Sequence, residues 1–173
     1  MIEIIDKFII EIFKLIFNQQ IAAILFYFYF MFYFILLIFV FYIYFFEKNK
    51  FKRIAIFLII GFISIYTLKY IVKRERPESF IKKKDYSFPS SHAYFSIILL
   101  LFSPSNLFGT FLKFYSILTI FSLIYIPLHY LSDIIFSILL YFLINFLLQD
   151  KILKKLESLM KETIMKVIQK RRK

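Results

Sequence analysis

The uncharged stretch at positions 21–46 constrains this chain more than any other feature. It reads IAAILFYFYFMFYFILLIFVFYIYFF and contains no charged side chain. A helix of about 20 apolar residues spans the hydrocarbon layer of a membrane, so this stretch is long enough to cross it even when tilted. It is too long for the core of a secretion signal, and the residues before it do not form a basic n-region. The stretch therefore predicts a transmembrane helix rather than a buried helix of a soluble protein.

The composition of the whole chain supports the same environment. The chain has 173 residues and is 61% hydrophobic, yet it carries a formal net charge of +12. A soluble core of this size could not bury so much apolar surface, so we expect the membrane to be the solvent. The chain has no cysteine, which excludes disulfides, thiolate nucleophiles and cysteine-bound metals. Its length predicts a single domain over 1–173.

The hydrophobic pattern predicts an all-α integral membrane bundle of about five spanning helices. The transmembrane core is expected over 21–149, with spans at 21–46, 54–72, 91–103, 110–129 and 134–149. A basic turn, 47–53, follows the first span, and a polar loop, 73–90, follows the second.

Two amphipathic helices are expected outside the core. Polar residues recur at steps of three and four within 2–18, so region 1–20 is predicted to lie in the membrane interface; the alternative is a short first spanning helix. Region 150–173 has an apolar face and a basic face. We expect it to be a cytoplasmic tail helix on the anionic inner leaflet, the alternatives being a solvated helix or a coiled-coil partner. The polar positions of the first helix are Glu3, Asp6, Lys7, Glu11, Lys14 and Asn18.

The distribution of basic residues predicts the orientation. With five spans, one side of the membrane carries fourteen of the 23 lysines and arginines and the other side carries nine. The more basic side is expected to be cytoplasmic, which places the C-terminus inside the cell. The same alternation places the polar loop 73–90 and the turn around 129–133 together on the extracytoplasmic face.

Three short motifs lie on that face. The first is KYIVKRERP, in which Lys69 and Arg76 are two helical turns apart and Arg76 precedes Pro77. Arginine offers a planar fork of donors to phosphate oxygens and lysine offers a compact charge. The alternative is a pair of basic side chains that extend to the interface from a helix end.

The second motif is FPSSHAYFS, which opens an apolar helix. Ser90 or Ser91 is expected to be its N-cap. The free backbone N–H groups of such a terminus form an anion site, and His92 lies in the first turn within reach of a bound anion. The alternative is an ordinary serine cap followed by an interfacial histidine.

The third motif is SLIYIPLHYLSD, in which His129 and Asp133 are four residues apart. An aspartate that accepts one imidazole N–H fixes the tautomer and leaves the other nitrogen free as a nucleophile or base. The alternative is that Asp133 caps the following helix, and both roles are compatible.

Taken together, the three motifs resemble those of the type 2 phosphatidic acid phosphatase family, which read KxxxxxxRP, PSGH and SRxxxxxHxxxD. The resemblance covers about 65 residues and the spacings match without gaps. The motifs stand here as Lys69–Arg76–Pro77, Pro89–Ser90–Ser91–His92 and Ser122–Leu123–His129–Asp133.

This resemblance implies a role for each residue. His129 would attack phosphorus to form a phosphohistidine, Asp133 would orient His129, and His92 would protonate the leaving oxygen. Phosphate would be bound by Lys69, Arg76, Ser90 and Ser91. The family requires no metal or other cofactor, and no carboxylate cluster suited to Mg²⁺ stands near the motifs. The partners would be a lipid phosphate or polyprenyl pyrophosphate and the bilayer, with no nucleic acid.

Leu123 departs from the family pattern, because the motif has an arginine that contacts the phosphate. Losing one transition-state donor typically costs about 10²–10³ in rate. A cation of the polar loop could compensate, the candidates being Lys73, Arg74, Lys82, Lys83 and Lys84. Two functions follow: a lipid phosphatase, or a silent lipid-phosphate binder or carrier. A small transporter or structural membrane protein is a third possibility, although 21–46 offers no polar group beyond tyrosine hydroxyls.

Overall fold

The computed structural model describes residues 2–78 and 85–148. The predicted tail helix at 150–173 and the loop lysines at 82–84 lie outside the described residues. The described part contains six helices and no strand. They are α1 (Ile2–Leu15), α2 (Gln19–Phe46), α3 (Lys48–Val72), α4 (Ser91–Phe102), α5 (Leu107–Tyr125) and α6 (Leu131–Leu147).

This architecture confirms the prediction of an all-α membrane protein. Helices α2, α3 and α5 are long and apolar enough to cross a bilayer. Helices α4 and α6 are apolar but have only 12 and 17 residues. At 1.5 Å per residue they extend roughly 18 and 26 Å, less than the ~30 Å hydrocarbon layer. The number of five crossings therefore stays a prediction.

Several helix ends differ from the sequence-based boundaries, and three of these differences have a local cause. Helix α1 stops at Leu15, because Asn18 starts the next helix by accepting hydrogen bonds from the backbone N–H groups of Gln20 and Ile21. The expected turn over 47–53 is confined to Glu47, since lysine and arginine favour helix and no glycine or proline interrupts them. Helix α5 ends at Tyr125, because Ile126 precedes Pro127 and is biased away from helical geometry.

The outer faces of the long helices remain apolar. Large side chains such as Phe30, Phe41 and Phe62 are more than half exposed. A soluble protein rarely exposes so much contiguous apolar surface, whereas lipid chains solvate it well. The exposed faces therefore support a membrane location independently of helix length.

Helix α4 forms the centre of the described bundle. All residues from His92 to Leu99 are buried, and the helix packs against α2, α3 and α5. Gly61 of α3 permits a close approach, since a Cβ there would lie 2.0 Å from the ring of Tyr94. The Tyr94 hydroxyl also donates to the carbonyl of Phe57 at 3.1 Å. These contacts hold the helix that carries His92 against the helix that carries Lys69.

By its internal contacts the chain divides into two compact units, Met1–Tyr141 and Phe142–Lys173. Every residue of the candidate site lies in the first unit. In the second unit, the described residues are the last turns of α6 and Leu148.

Candidate active site

The site is built around a tight turn between α5 and α6. Because α5 ends before Pro127, His129 lies in this turn rather than in a helix. The carbonyl of Leu123 accepts the backbone N–H groups of Leu128 and His129 at 3.0 and 3.2 Å. These bonds fold the chain back, so that His129 is almost completely buried, with 2% of its surface exposed.

Arg76 determines which imidazole nitrogen of His129 carries no proton. Its Nη1 lies 3.0 Å from His129 Nε2 and 2.7 Å from the carbonyl oxygen of Leu128. A guanidinium can only donate hydrogen bonds, so Nε2 must accept and carries no proton. The proton of the neutral ring therefore resides on Nδ1, and the lone pair of Nε2 points toward the cationic side of the site.

Asp133 lies on the other side of the ring. Its Oδ2 is 3.6 Å from His129 Nδ1, which is longer than a hydrogen bond, and among the described residues this buried nitrogen has no hydrogen-bond partner. The same oxygen accepts the backbone N–H of Tyr130 at 3.1 Å. Asp133 therefore faces the histidine from within the first turn of α6, rather than preceding that helix as the sequence suggested, and its side chain reaches back to the backbone at the helix start.

The environment of His129 keeps it neutral. Burial lowers the pKa of His129 to about 4, and the charges of Arg76 and Lys69 act in the same direction. The carboxylate of Asp133 opposes them but does not overcome them. A neutral imidazole is the form required of a nitrogen nucleophile, and it prevails at neutral pH.

Lys69 and Arg76 are joined by Asp85 near His129 Nε2. Lys69 Nζ donates to the carbonyl of Tyr86 and lies 3.6 Å from Asp85 Oδ2. Arg76 Nη2 lies 2.8 Å from the same Asp85 oxygen. The Asp85 carboxylate is about half exposed and bridges the two cations. It occupies the position that a phosphate bound to these cations would take.

The second motif forms the N-terminus of α4. Ser90 is its N-cap, and its Oγ accepts the backbone N–H of Ala93 at 3.4 Å. The backbone N–H of Ser90 donates to Ser137 Oγ, which in turn donates to the carbonyl of Asp133. The buried Ser137 therefore joins the N-terminus of α4 to the helix that carries Asp133.

Aromatic side chains of α2 surround His92. The imidazole is stacked on the ring of Tyr29 with a centroid separation of 4.2 Å. The rings of Phe32 and Tyr33 lie at 5.0 and 4.8 Å, and the Tyr33 hydroxyl is 3.0 Å from Ser91 Oγ. These three rings form an aromatic cage around the His92 imidazole, and aromatic faces stabilise a cation placed over them.

Leu123 is fully buried in an apolar cluster. The cluster also contains Ala22, Leu25 and Tyr29 of α2, and Ala93 of α4. The position that holds an arginine in the family motif is therefore filled by an apolar side chain packed within this cluster.

Arg74, one of the cations that the sequence offered as a replacement for the missing arginine, is directed elsewhere. Its guanidinium contacts Asp133 Oδ1 and Ser132 Oγ at 2.7 Å and Asp6 Oδ2 at 2.8 Å. Those contacts occupy both ends of its fork, so it supports Asp133 rather than the phosphate position.

The structure thus brings Arg76, His129 and Asp133 together, and Asp85 links Lys69 to Arg76. His92 is packed among the rings of α2, and the next residue, Ala93, belongs to the same apolar cluster as Leu123 and Leu128. Sequence reasoning did not assign functional roles to several further residues of the site, among them Asp6, Tyr33, Asp85, Ser132 and Ser137. Asp6 stood out by no local signal, because it is one of several charged residues in an amphipathic segment. In the parts of the chain that are described, three or more His, Asp or Glu side chains are nowhere grouped to hold a metal ion.

Comparison with known proteins adds one solved structure. No family model matches the chain, and no curated protein matches it. The crystal structure of a transmembrane PAP2-type phosphatidylglycerolphosphate phosphatase from Bacillus subtilis superposes with a TM-score of 0.61. The likeness covers 83% of this chain and 84% of that chain, at 17% sequence identity. The chain therefore has the fold of a PAP2-type phosphatase, and the resemblance indicated by the three motifs is confirmed at the level of the fold.

Proposed function

We propose that this protein is a multi-pass membrane enzyme that hydrolyses a lipid phosphate or polyprenyl pyrophosphate through a phosphohistidine, without a metal. The observation that carries the proposal is the arrangement around His129. A buried, neutral imidazole presents the unprotonated Nε2 to a pair of cations, and a carboxylate faces its other nitrogen. The fold shared with a PAP2-type phosphatase supports the same function.

The reaction would begin with phosphate binding. Lys69 and Arg76 would exchange Asp85 for the phosphate oxygens, and the N-terminus of α4, with Ser90 and Ser91, would contribute dipole and hydrogen-bond donors. His129 Nε2 would then attack phosphorus, forming the P–N bond while the P–O bond to the lipid breaks. Asp133 would accept the Nδ1 hydrogen bond and stabilise the positive charge that develops on the ring.

His92 would complete both half-reactions. As a general acid it would give its proton to the leaving lipid oxygen, and as a general base it would take a proton from the water that attacks the phosphohistidine. Phosphate leaves and His129 returns to its neutral form, so the cycle consumes one water. The aromatic cage of Tyr29, Phe32 and Tyr33 supports the protonated state that the first step needs.

The proposed substrate class rests on the location of the site at the membrane surface, because no described residue of the site distinguishes one lipid head group from another. The basic loop would attract anionic head groups to the membrane surface, and phosphatidic acid, phosphatidylglycerol phosphate and polyprenyl pyrophosphates all offer the reacting group. We place the site on the extracytoplasmic face and the C-terminus in the cytoplasm, on the charge distribution described above.

The test is phosphate release in detergent micelles, with a chelator present, from phosphatidic acid and from a polyprenyl pyrophosphate. Wild type should release phosphate from at least one of them, and His129→Ala should abolish release. His92→Ala should lower the rate by roughly 10²–10⁴, the usual contribution of general acid–base catalysis. Folded wild type that releases nothing from either lipid would overturn the proposal.

One observation favours a second candidate function, a lipid-phosphate binder without turnover. Leu123 stands where the family motif has a phosphate-contacting arginine, and the neighbouring Arg74 is directed to Asp133. In that case the protein would bind a lipid phosphate, and His129→Ala would leave the binding unchanged.

A further inference from the structure

Asp6 is the unusual residue of α1. The other charged residues of this helix, such as Glu3 and Glu11, are exposed. The Asp6 side chain is 2% exposed, although a buried carboxylate is costly unless it is paired and hydrogen-bonded. The partners of this carboxylate therefore indicate what it does.

Its partners lie at the start of α6. Asp6 Oδ1 accepts the backbone N–H of Ser132 at 3.0 Å, and Oδ2 accepts the Ser132 hydroxyl at 2.5 Å. Oδ2 also accepts Arg74 Nη2 at 2.8 Å. Burial on its own would raise the pKa of Asp6, but the hydrogen bonds from Ser132 and Arg74 bring it below its ordinary value. Asp6 is thus an ionised cap on the helix that carries Asp133.

Arg74 connects this cap to the nucleophile. Its Nη2 binds Asp6 while its Nη1 binds Asp133 Oδ1 at 2.7 Å. Asp133 keeps its other oxygen, Oδ2, for His129. The guanidinium also lies over the ring of Tyr130, 4.0 Å from its centroid. The guanidinium is thus held on three sides, and its bond to Oδ1 together with the bond from the Tyr130 N–H to Oδ2 orients the Asp133 carboxylate.

Asp6, Arg74 and Asp133 form a row of alternating charges that ends at His129. An unbalanced arginine beside Asp133 would weaken the electrostatic attraction between Asp133 and a positively charged His129 ring. Asp6 balances Arg74, so Asp133 acts on His129 with nearly the full effect of one carboxylate, against the opposing charges of Arg76 and Lys69. The line Asp6–Arg74–Asp133–His129 therefore fixes both the direction and the effective charge of the group that supports the nucleophile.

We propose that Asp6 and Arg74 are positioning residues for His129, so that helix α1 completes the active site. Asp6 touches neither the substrate nor the reacting atoms, and it acts through Arg74 and Asp133. The inference rests on the proposed function, since it concerns the nucleophile of that reaction.

The kinetic test compares Asp6→Asn with Glu3→Gln. Both changes remove one carboxylate charge from α1, but only Asp6 reaches Arg74. Asp6→Asn should lower kcat by roughly 10- to 100-fold, the range found for carboxylates that orient metal-bound histidines. KM should stay nearly constant because Lys69 and Arg76 are untouched, and Glu3→Gln should match wild type.

A double-variant comparison tests whether Asp6 works through Arg74. Asp6→Asn should cause little further loss in an Arg74→Gln background, because residues of one network are not additive. Equal fold losses in both backgrounds would show that Asp6 acts without Arg74. If the wild-type protein turns over and Asp6→Asn has the same kcat, the inference is overturned and the proposed function remains intact.

A readout independent of turnover separates this inference from the proposed function. With His92→Gln the chain has a single histidine, so imidazole-labelled protein gives one set of NMR signals in micelles. The Nδ1–H resonance of His129 reports how closely the Asp133 carboxylate approaches Nδ1, from which it lies 3.6 Å. It should shift in Asp6→Asn and Arg74→Gln and stay in place in Glu3→Gln. An unchanged resonance in folded Asp6→Asn protein would contradict the inference even if no lipid were ever hydrolysed.

Discussion

Leu123 decides, at the scale of single residues, how the site manages without the arginine of the family motif. Its side chain lies within the apolar cluster formed with Ala22, Leu25, Tyr29 and Ala93. Leu123→Arg would place a cation there without a partner, and an uncompensated buried charge costs about 3–5 kcal/mol. We expect lower thermal stability in detergent and no gain in kcat, whereas Leu123→Met should be near neutral. A faster Leu123→Arg enzyme would show that the phosphate site lacks a donor.

Under the proposed function, Asp85 would compete with substrate for the two cations. Ion pairs open to solvent contribute about 0.2–1 kcal/mol, and the Asp85 side chain is 55% exposed, so its removal corresponds to a change of up to about fivefold in affinity. Asp85→Asn should lower KM by that modest factor and strengthen inhibition by orthovanadate. Glu78→Gln, which removes an exposed carboxylate from the same loop, serves as the control. A higher KM in Asp85→Asn would mean that this carboxylate organises the site instead of occupying it.

The residues of the site were only partly predictable from sequence. Lys69, Arg76, Ser90, His92, His129 and Asp133 stand at fixed spacings, and those spacings are visible in one dimension. The contact of Arg74 with Asp6 joins residues 68 positions apart, and no local pattern specifies such a pair. The orientation of the Arg74 fork toward Asp133, instead of the phosphate position, is likewise set by packing.

At the scale of elements, the contact between α3 and α4 sets the distance between Lys69 and His92. Tyr94 is fully buried, so its ring cannot move aside for a larger residue at position 61. Gly61→Val should therefore destabilise the protein by about 1–3 kcal/mol, as overpacking does, and lower kcat with it. Ala23→Val, on the exposed face of α2, should leave both unchanged. Thermal unfolding and turnover measured on the same samples check this, and an unaffected Gly61→Val would contradict the close packing of these helices.

Helix existence was predicted better than helix ends. The apolar period identified α2 to α6 because hydrophobic runs are long in a membrane protein. Asn18 begins α2 where the sequence analysis continued the first helix. Glu47 alone separates α2 from α3, where a turn of seven residues was expected. Such boundaries depend on side-chain geometry that composition does not show. Pro127 is the instructive case. Its effect on Ile126 moves His129 out of the helix and into the turn where Arg76 reaches it.

At the scale of the whole molecule, the orientation in the membrane is open to a direct test. The chain has no cysteine, so a single introduced cysteine reports one position. Glu78→Cys, in the loop beside Arg76, should react with a membrane-impermeant maleimide on intact cells. Ser105→Cys, in the turn between α4 and α5, should react only after permeabilisation. The reverse labelling pattern would place the site on the cytoplasmic face.

The central claim is that His129 becomes covalently phosphorylated during turnover. The most direct measurement mixes the protein with a lipid phosphate carrying radioactive phosphorus, stops the reaction in alkaline detergent, where phosphohistidine survives, and locates the label by peptide mapping. The account predicts label on the peptide that contains His129, and none in His129→Ala. Label on another residue, or turnover that persists in His129→Ala, would contradict it.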